Sequence, residues 1–584
     1  GRGDLAERVQ LTTVRYLAHP YILHTESGWN EVKSKIDAYP WAQQALTDYS
    51  KQASVWQVPA VHSDTGYVYP LAEAQRAVAC AVAWKLTGSR AWEAKAVAWI
   101  RQFADPDKGY LKTQRACNAG RVHEGLFFQE FAKTYDLLYD STLLTSADHQ
   151  QIEKTLRKFL EIADWDLQAG DGNNHQISFC AGALLCSLTL QDFERAERFL
   201  NGPHGLRDLL ASGILDDGSY FEQAPNYNIL VANIAMMVVQ ACRPWGLGLD
   251  RWTIEPRYSR TILLAPWIND NQFLGMSFDR YGPSRRNYRT IKDLWDSLVP
   301  LADYRGVLFA GNDSAEKDLA SDHQEAAPGL ELAYYLYRDP NYIPIIRNAK
   351  KRNLLYGVPN LPQTDWSPWA FSVCQDNSGF AVLRSQPETM QPRQRIQAVL
   401  KFGTHGGYHG HFDRASLMSL MRYGRSFYST EAAWYGYDSY LFKMWVQASV
   451  SHNMVVVDQR MQKPAEGKLL LFYPGRQIQA AAAETSSQWI DPPYGGQTPY
   501  RESFPQEKSW KESRYLPIPD VPRPQGDTGL PSEPVLQRRL MVVTQDYVIV
   551  ADFLKGSEEH TFDNLIHIKG LKDFHAAAKV FRNH

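Results

Sequence analysis

The stretch FGTHGGYHGHFD (402–413) places three histidines within seven residues of one another, next to an aspartate. These are His405, His409 and His411. On a strand the last two would point to the same face, because side chains alternate along an extended chain. With His452, which begins the next apolar run, and a carboxylate from Asp413 or Glu431, they would make a normal zinc ligand set. The same histidines could instead act as acid–base catalysts or form a polar loop.

Two further polar segments each precede a helical pattern. DGNNHQ (171–176) places Asn174 and His175 directly ahead of an apolar stretch. Taken alone, it predicts a helix cap in which Asp171 or an asparagine bonds the free N–H groups of the first turn. DDGSYFEQAPNYN (216–228) is a polar stretch broken by Gly and Pro, and alone it reads as an ordinary loop. Its chemically useful side chains are Tyr220, Glu222 and Tyr227.

A largely helical region must position these segments. Apolar residues recur at three- and four-residue steps through much of the first 350 residues. The pattern predicts helices at 71–88, 91–104, 124–140, 146–165, 176–190, 193–201, 228–242 and 327–338. Short connections between helices favour stacked helix pairs, in either a solenoid or an α/α toroid. Because the sequence shows no fixed-period repeat, the toroid is favoured.

Beyond about residue 365 the pattern changes to short strand-like runs. They lie at 395–403, 415–430, 452–460, 468–473 and 476–484, with two more in 536–554 that turn at Gln545 and Asp546. Such runs predict an antiparallel β-sandwich or a similar sheet assembly. The proline-rich junction 356–370 divides a multidomain α+β chain into a toroid at 1–360 and a β-sheet domain at 366–584. The chain stops soon after a strand-like run, which leaves room for an incomplete sheet at the C-terminus.

Composition limits the partners that can be expected. The net charge of −2 at pH 7 gives no reason to expect nucleic acid or an anionic membrane. No run of eighteen apolar residues is present, so no membrane span is predicted. The N-terminus GRGDLAERVQ has no signal-peptide pattern. The aromatic content of 12% suits a sugar-binding cleft, although large rings also fill large cores.

Several blocks together resemble the heparinase II/III-like polysaccharide lyases, which include the oligoalginate lyases. The blocks are NNHQ (173–176), DGSYFEQAPNY (217–227), HGGYHGHFDRASL (405–417), YGRSFYSTEAAWYGY (423–437) and SHNMVVVD (451–458). The resemblance covers most of the chain and implies an α/α toroid followed by antiparallel β-sheet domains. It also implies an acidic polysaccharide as substrate, and secretion to the periplasm or outside a bacterial cell.

The resemblance also implies roles for individual residues. Such a lyase removes the C5 proton of a uronic acid and breaks the bond to O4, leaving a 4,5-unsaturated end. Asn174 and His175 match the positions that neutralise the uronate carboxylate, which makes the C5 proton easier to remove. Tyr227 and His409 match the catalytic tyrosine and histidine, and the choice of base depends on the epimer at C5. A tyrosine with its ordinary pKa of about 10 is a poor base at neutral pH unless its neighbours lower that pKa.

A structural zinc site is the third implication. His411 and His452 match two of the ligands, but Glu431 stands where the family has an aspartate. The longer side chain leaves two alternatives open, a zinc site and a metal-free polar cluster.

The residues expected to bind substrate are Arg121, His123, Glu124, Glu222 and His405. Arg285 and Arg286 are further cleft candidates, since arginine suits carboxylates and sulfates.

Two other functions compete with the lyase. A glycoside hydrolase on an α/α toroid would need two carboxylates flanking the cleft, drawn from Asp171, Glu222 and Glu124. A glycan-binding protein without catalysis would need none of the proposed chemistry. The complete set of Asn, His, Tyr and His side chains favours the lyase over both.

Overall fold

The computed structural model describes most of the chain. The described residues are 16–59, 68–117, 121–168, 173–256, 286–320, 329–386, 390–403, 409–429, 442–463, 465–490, 532–575 and 580–583. We call the part up to Arg347, where the last described α-helix ends, the helical half. We call the part from Val373 onwards, which is mostly antiparallel strands, the β half. This order confirms the predicted fold class, and the predicted domain boundary falls between the two halves.

The helical half contains every helix that the sequence predicted, with ends within a few residues of the expected ones. Its helices are α1 (Glu26–Ala38), α2 (Pro40–Val55), α3 (Leu71–Thr87), α4 (Arg90–Phe103), α5 (Tyr110–Thr113), α6 (Arg121–Leu138), α7 (Ser146–Leu167), α8 (Asn174–Thr189), α9 (Phe193–Asn201), α10 (Leu206–Gly213), α11 (Pro225–Cys242), α12 (Asp293–Leu298), α13 (Gly329–Tyr337) and α14 (Ile343–Arg347). A short hairpin of β1 (Val307–Leu308) and β2 (Lys317–Asp318) interrupts the series.

Two helices that lead away from the site are almost entirely buried. In α8 and α11 nearly every side chain is inaccessible, as expected for helices that are apolar on all faces. Glycines allow α6 and α8 to pack closely. A Cβ added at Gly125 would lie 2.4 Å from the Ser178 backbone, and one at Gly182 would lie 2.6 Å from the Gly125 carbonyl oxygen. The first turn of α8 is therefore held rigidly in the core.

The β half contains two main antiparallel sheets. Its strands are β3 (Val373–Gln375), β4 (Phe380–Arg384), β5 (Gln397–Lys401), β6 (Ser416–Arg422), β7 (Arg425–Ser429), β8 (Val455–Val457), β9 (Met461–Gln462), β10 (Gly467–Pro474), β11 (Gln479–Ser487), β12 (Trp489–Ile490), β13 (Val535–Val543), β14 (Val548–Lys555), β15 (Phe562–Asn564), β16 (Leu571–His575) and β17 (Val580–Asn583). One sheet has the order β3-β4-β5-β6-β7, and the other has the order β10-β11-β13-β14.

The two sheets share one apolar core, which makes this part a β-sandwich. Small and medium side chains from both sheets meet in it. Ala398 and Leu400 come from the first sheet, and Ala481 and Met541 come from the second. The turn predicted at Gln545 and Asp546 joins β13 to β14. In the part of the chain that is described, no helix has the length and apolar character to cross a membrane.

Candidate active site

The start of α8 presents Asn174 and His175 in its first turn. The side-chain oxygen of Asn173 accepts hydrogen bonds from the backbone N–H groups of His175, at 3.1 Å, and Gln176, at 3.2 Å. Asn173 is therefore the N-cap, and the predicted capping role of this segment is confirmed. Asn174 is buried, so its side chain is fixed by its partners rather than by water.

The start of α11 presents Tyr227 in the same way. Pro225 occupies the first turn, where a missing N–H costs nothing and the fixed φ suits a helix. The next residue, Asn228, accepts a hydrogen bond from the backbone N–H of Tyr220 and donates one to the carbonyl oxygen of Leu294 at 2.9 Å. These contacts fold the segment that precedes α11 back onto the helix start, and Glu222 lies within that segment.

Tyr227 from the helical half meets His409 from the β half. Their rings are stacked, with centroids 3.7 Å apart and planes inclined by 20°. His409 lies between β5 and β6 and is 5% exposed. The two residues expected to transfer protons thus lie side by side, although 182 positions separate them in the sequence.

Glu222 links this pair to Asn174. The Asn174 amide nitrogen donates to both carboxylate oxygens of Glu222, at 3.0 and 2.9 Å. Glu222 Oε1 is also 3.8 Å from Nε2 of His409. Burial raises the pKa of Glu222, against the opposing effects of His409 and of the Asn174 hydrogen bonds. The site therefore contains a buried carboxyl group that takes up a proton more readily than usual.

Asp313 lies on the other side of His409. Its Oδ2 is 2.9 Å from His409 Nδ1, and its Oδ1 is 3.0 Å from His411 Nε2. Burial alone would raise the pKa of Asp313, but the hydrogen bonds from the two histidines outweigh it and lower that pKa. Asp313 was not among the residues that the sequence singled out.

His411, which also contacts Asp313, faces His452. His411 Nδ1 is 3.1 Å from His452 Nε2, and His452 Nδ1 is 2.8 Å from the carbonyl oxygen of Ala448. Burial lowers the pKa of His452 to about 3, so its ring is neutral. Within the described ranges no group of three or more His, Cys, Asp or Glu side chains forms a metal site. The third predicted ligand, Glu431, lies outside those ranges.

A buried ionic network supports the two histidines. Asp413 is fully buried and contacts Lys401 and Arg414, the latter at 3.0 Å. Its Oδ2 lies 3.5 Å from His452 Nε2. Burial alone would raise the pKa of Asp413, but the charges of Lys401 and Arg414 lower it. The carboxylate is therefore ionised and shared between the cations and the histidine pair.

The remaining predicted substrate contacts are only partly described. His405 lies outside the described residues, and so do Asp171 and Arg285. Arg121 begins α6, but its side chain is not among those described. His123 is half-buried in the same helix. Arg286 pairs with Asp293 at 3.1 Å.

Glu124 has a different set of contacts from those expected of a substrate ligand. Its carboxylate accepts hydrogen bonds from the backbone N–H groups of Ala116, at 2.8 and 3.0 Å, and Cys117, at 3.1 Å. Burial raises the pKa of Glu124 to about 7. These bonds hold the chain segment before α6.

Comparison with known proteins indicates the class of enzyme to which this chain belongs. Residues 30–262 match the family model described as alginate lyase, which covers much of the helical half. Comparison with curated protein sequences gives no match. Among solved structures, a heparinase III gene product is 14% identical with a TM-score of 0.52, over 94% of this chain and 72% of that one. A crystal structure of heparinase III is 13% identical with a TM-score of 0.51, over 93% of this chain and 79% of that one.

At these identities the structural likeness shows a common fold, the α/α toroid followed by a β-sandwich domain. The alginate lyase match in the helical half supports a polysaccharide lyase activity. The protein is a polysaccharide lyase, as the resemblance of its sequence blocks predicted.

Proposed function

We propose that this lyase cleaves a uronic-acid-containing polysaccharide, of the glycosaminoglycan or alginate type, by β-elimination. The stacking of Tyr227 on His409 at 3.7 Å carries the proposal, because it brings two proton-transfer groups into contact. Elimination needs a base for the C5 proton and an acid for O4. Both groups must reach one sugar ring, and adjacent side chains satisfy this requirement.

The reaction is balanced with these two residues alone. The base removes the proton from C5, and the electrons of that C–H bond form the C4=C5 double bond. The bond between C4 and O4 breaks, and the acid donates a proton to O4. Tyr227 and His409 fill the two roles, in an order set by the face of the ring on which the C5 proton lies. His175, on the first turn of α8, faces the substrate carboxylate together with Asn174.

We propose that Glu222 is protonated when a uronate binds next to it. The Asn174 amide hydrogens are directed to Glu222, and Asn174 Oδ1 has no hydrogen-bond partner among the described residues. If Glu222 carries a proton, it can donate to Asn174 Oδ1, and the amide nitrogen can then turn to the substrate carboxylate. The raised pKa of Glu222 supports this exchange. The enolate charge that develops next to C5 is stabilised by the same donors.

We also propose that zinc holds His411 and His452 together, with Glu431 as the third ligand. His411 Nε2 faces a carboxylate and His452 Nδ1 faces a carbonyl oxygen, so both outer nitrogens carry protons. The two inner nitrogens, 3.1 Å apart, then present lone pairs to each other, which is unfavourable without a cation. Two nitrogens on one tetrahedral zinc lie about 3.3 Å apart, given Zn–N bonds of about 2.0–2.1 Å. Zinc in this place stabilises the fold and takes no part in the elimination.

Zinc analysis of the purified protein tests that part of the proposal. We expect about one zinc per chain, and we expect His411→Ala to lose it together with several degrees of melting temperature. A metal-free protein whose melting temperature is unaffected by His411→Ala would contradict the zinc site and leave the lyase assignment intact.

The substrate class is tested by ultraviolet absorbance during incubation with hyaluronan, chondroitin, heparan sulfate, heparin and alginate. Elimination creates a conjugated double bond at the new non-reducing end, and hydrolysis creates none. We expect rising absorbance with one polymer of the panel. New reducing ends without a rise in absorbance would contradict elimination. We also propose a secreted or periplasmic location, because such polymers are too large to enter the cell intact.

A further inference from the structure

The loop at 311–314, with the sequence GNDS, contacts both halves of the site. Towards the helical half, the Asn312 amide nitrogen donates to the carbonyl oxygen of Gln223 at 2.8 Å. Ser314 Oγ accepts from the backbone N–H of Asn226 at 3.1 Å. Both partners belong to the segment that ends at Tyr227. The loop is thus fixed to the chain segment that positions the catalytic tyrosine.

The same loop also contacts the segment of the β half that carries the catalytic histidine. The backbone N–H of Asp313 donates to the carbonyl oxygen of His409 at 3.2 Å, and Asn312 Oδ1 accepts from the backbone N–H of His411 at 3.2 Å. Asn312 has a φ of +53°, in the left-handed region that asparagine tolerates better than most residues. This conformation lets one side chain reach both halves.

The two oxygens of Asp313 determine which ring nitrogens carry protons. Each oxygen contacts one histidine nitrogen, His409 Nδ1 at 2.9 Å and His411 Nε2 at 3.0 Å. A carboxylate only accepts hydrogen bonds, so both of these nitrogens must be N–H donors. In neutral His409 the lone pair then resides on Nε2, the nitrogen 3.8 Å from Glu222. All three side chains are buried, so water does not compete for these bonds.

We propose that Asp313 is a positioning residue that holds His409 as the Nδ1–H tautomer, with the Nε2 lone pair towards Glu222 and the ring stacked on Tyr227. This proposal rests on the proposed function, because the tautomer matters only if His409 transfers a proton at Nε2. The free histidine side chain favours the opposite tautomer, with the proton on Nε2. Without Asp313 the ring would therefore present an N–H at Nε2, where His409 needs a lone pair to act as the base.

Nitrogen NMR of protein labelled with nitrogen-15 histidine tests the tautomer directly. Comparison with His409→Gln assigns the His409 signals in the wild-type protein. We expect the Nδ1 signal of neutral His409 to be that of a protonated nitrogen and the Nε2 signal that of an unprotonated one. The reverse assignment in the wild-type protein would overturn the proposal. This readout requires no substrate, so it stands even if the proposed elimination fails.

Kinetics separate positioning from a purely structural role. Asp313→Asn keeps the size of the side chain but can accept from only one of the two histidines. We expect kcat to fall about 10- to 100-fold with KM within about threefold of wild type. Asp313→Glu keeps both acceptors on a longer side chain and should restore part of kcat. A wild-type kcat in Asp313→Asn, or a rise in KM alone, would overturn the proposal.

Asp303→Asn is the matched control. Asp303 is a buried carboxylate that precedes β1, and it binds Arg305 at 2.6 Å and the backbone N–H of Val307 at 3.3 Å. Removing its charge tests the loss of a buried carboxylate without a histidine partner. We expect a lower melting temperature with kcat close to wild type. An equal fall of kcat in both variants would attribute the effect to destabilisation and overturn the assignment to Asp313.

Discussion

The two halves of the molecule hold their catalytic residues by different physical means. In the helical half, Asn174 and Tyr227 lie in the first turns of α8 and α11. Their positions follow from the backbone of a helix start, with Asn173 and Pro225 stabilising the first turn. These determinants lie within two residues of the groups that they position. The backbone placement of these two residues is largely local, whereas the Asn174 side chain is also held by Glu222, 48 positions away.

In the β half, His409 lies between strands and depends on partners that are distant in sequence. Asp313 bonds its ring from 96 positions away. The segment that follows it is anchored by Asp413 between Lys401 and Arg414, all of them fully buried. The comparison shows that one catalytic residue is held by secondary structure and the other by a network of buried charges. Substitutions should therefore act differently in the two halves.

Tyr227→Phe should have the largest effect on activity. Loss of the hydroxyl removes one proton-transfer group, so kcat should fall about 10²- to 10⁴-fold. Tyr227 is only half-buried, so the melting temperature should change little. Turnover assays and thermal unfolding measure the two effects. Tyr220→Phe is the control, since Tyr220 packs in the helical core, and it should keep kcat within about threefold. Comparable losses in both variants would remove Tyr227 from its assigned role.

Asp413→Asn should have the largest effect on stability, and it tests the ionic support of the β half. The change leaves Lys401 and Arg414 buried without their carboxylate, which costs about 3–5 kcal/mol of unfolding free energy. Urea denaturation measures the loss. The control is Asp48→Asn, which breaks a more exposed pair with Lys351 and should cost less than about 1 kcal/mol. Similar losses in both variants would show that the buried network does not support the histidine segment.

Glu222→Gln should change the pH dependence of substrate binding. The pKa of Glu222 is raised, and binding needs its protonated form, so KM of the wild-type protein should rise as pH increases through that pKa. At pH values above this pKa, the increase in KM approaches about tenfold per pH unit. Glutamine is always neutral, so KM of the variant should lack this rise. The difference between the two KM profiles reports the effect of the Glu222 carboxyl group, which the variant lacks. Parallel profiles would contradict a proton on Glu222.

Asn173→Ala should have the smallest effect, and it tests the local placement in the helical half. Loss of the N-cap should lower the unfolding free energy by about 1 kcal/mol. It should also reduce kcat slightly, because the first turn that carries Asn174 frays. Asp192→Ala removes the cap of α9, away from the site, and should cost similar stability with kcat unchanged. A larger fall of kcat in Asp192→Ala than in Asn173→Ala would contradict the local account.

The same contrast explains what could be predicted from the sequence. The helices at 146–165 and 193–201 were predicted within two residues of their observed ends, because amphipathic periodicity and end signals are local. The helices α1 and α2 were missed, since few of their residues are buried and the apolar pattern is weak. Short strands such as β8 and β12 have too few residues for alternation to be recognised.

The same contrast separates the site residues that could be predicted from the sequence from the one that could not. Tyr227, His409, Asn174 and Glu222 were predicted and lie together, since each belongs to a recognisable sequence block. Asp313 was missed because GNDS reads as an ordinary turn, and its meaning depends on contacts across the two halves. No spacing rule in a single sequence brings position 313 next to position 409.

The most direct test of the central claim is cleavage of the responsive polymer in oxygen-18 water, followed by mass spectrometry of the products. Elimination transfers protons but adds no water to the cleaved bond. We predict products that contain no oxygen-18 from the cleavage step, with one new 4,5-unsaturated end formed per cleavage. One oxygen-18 atom incorporated per cleavage would show hydrolysis and would contradict the elimination assigned to Tyr227 and His409.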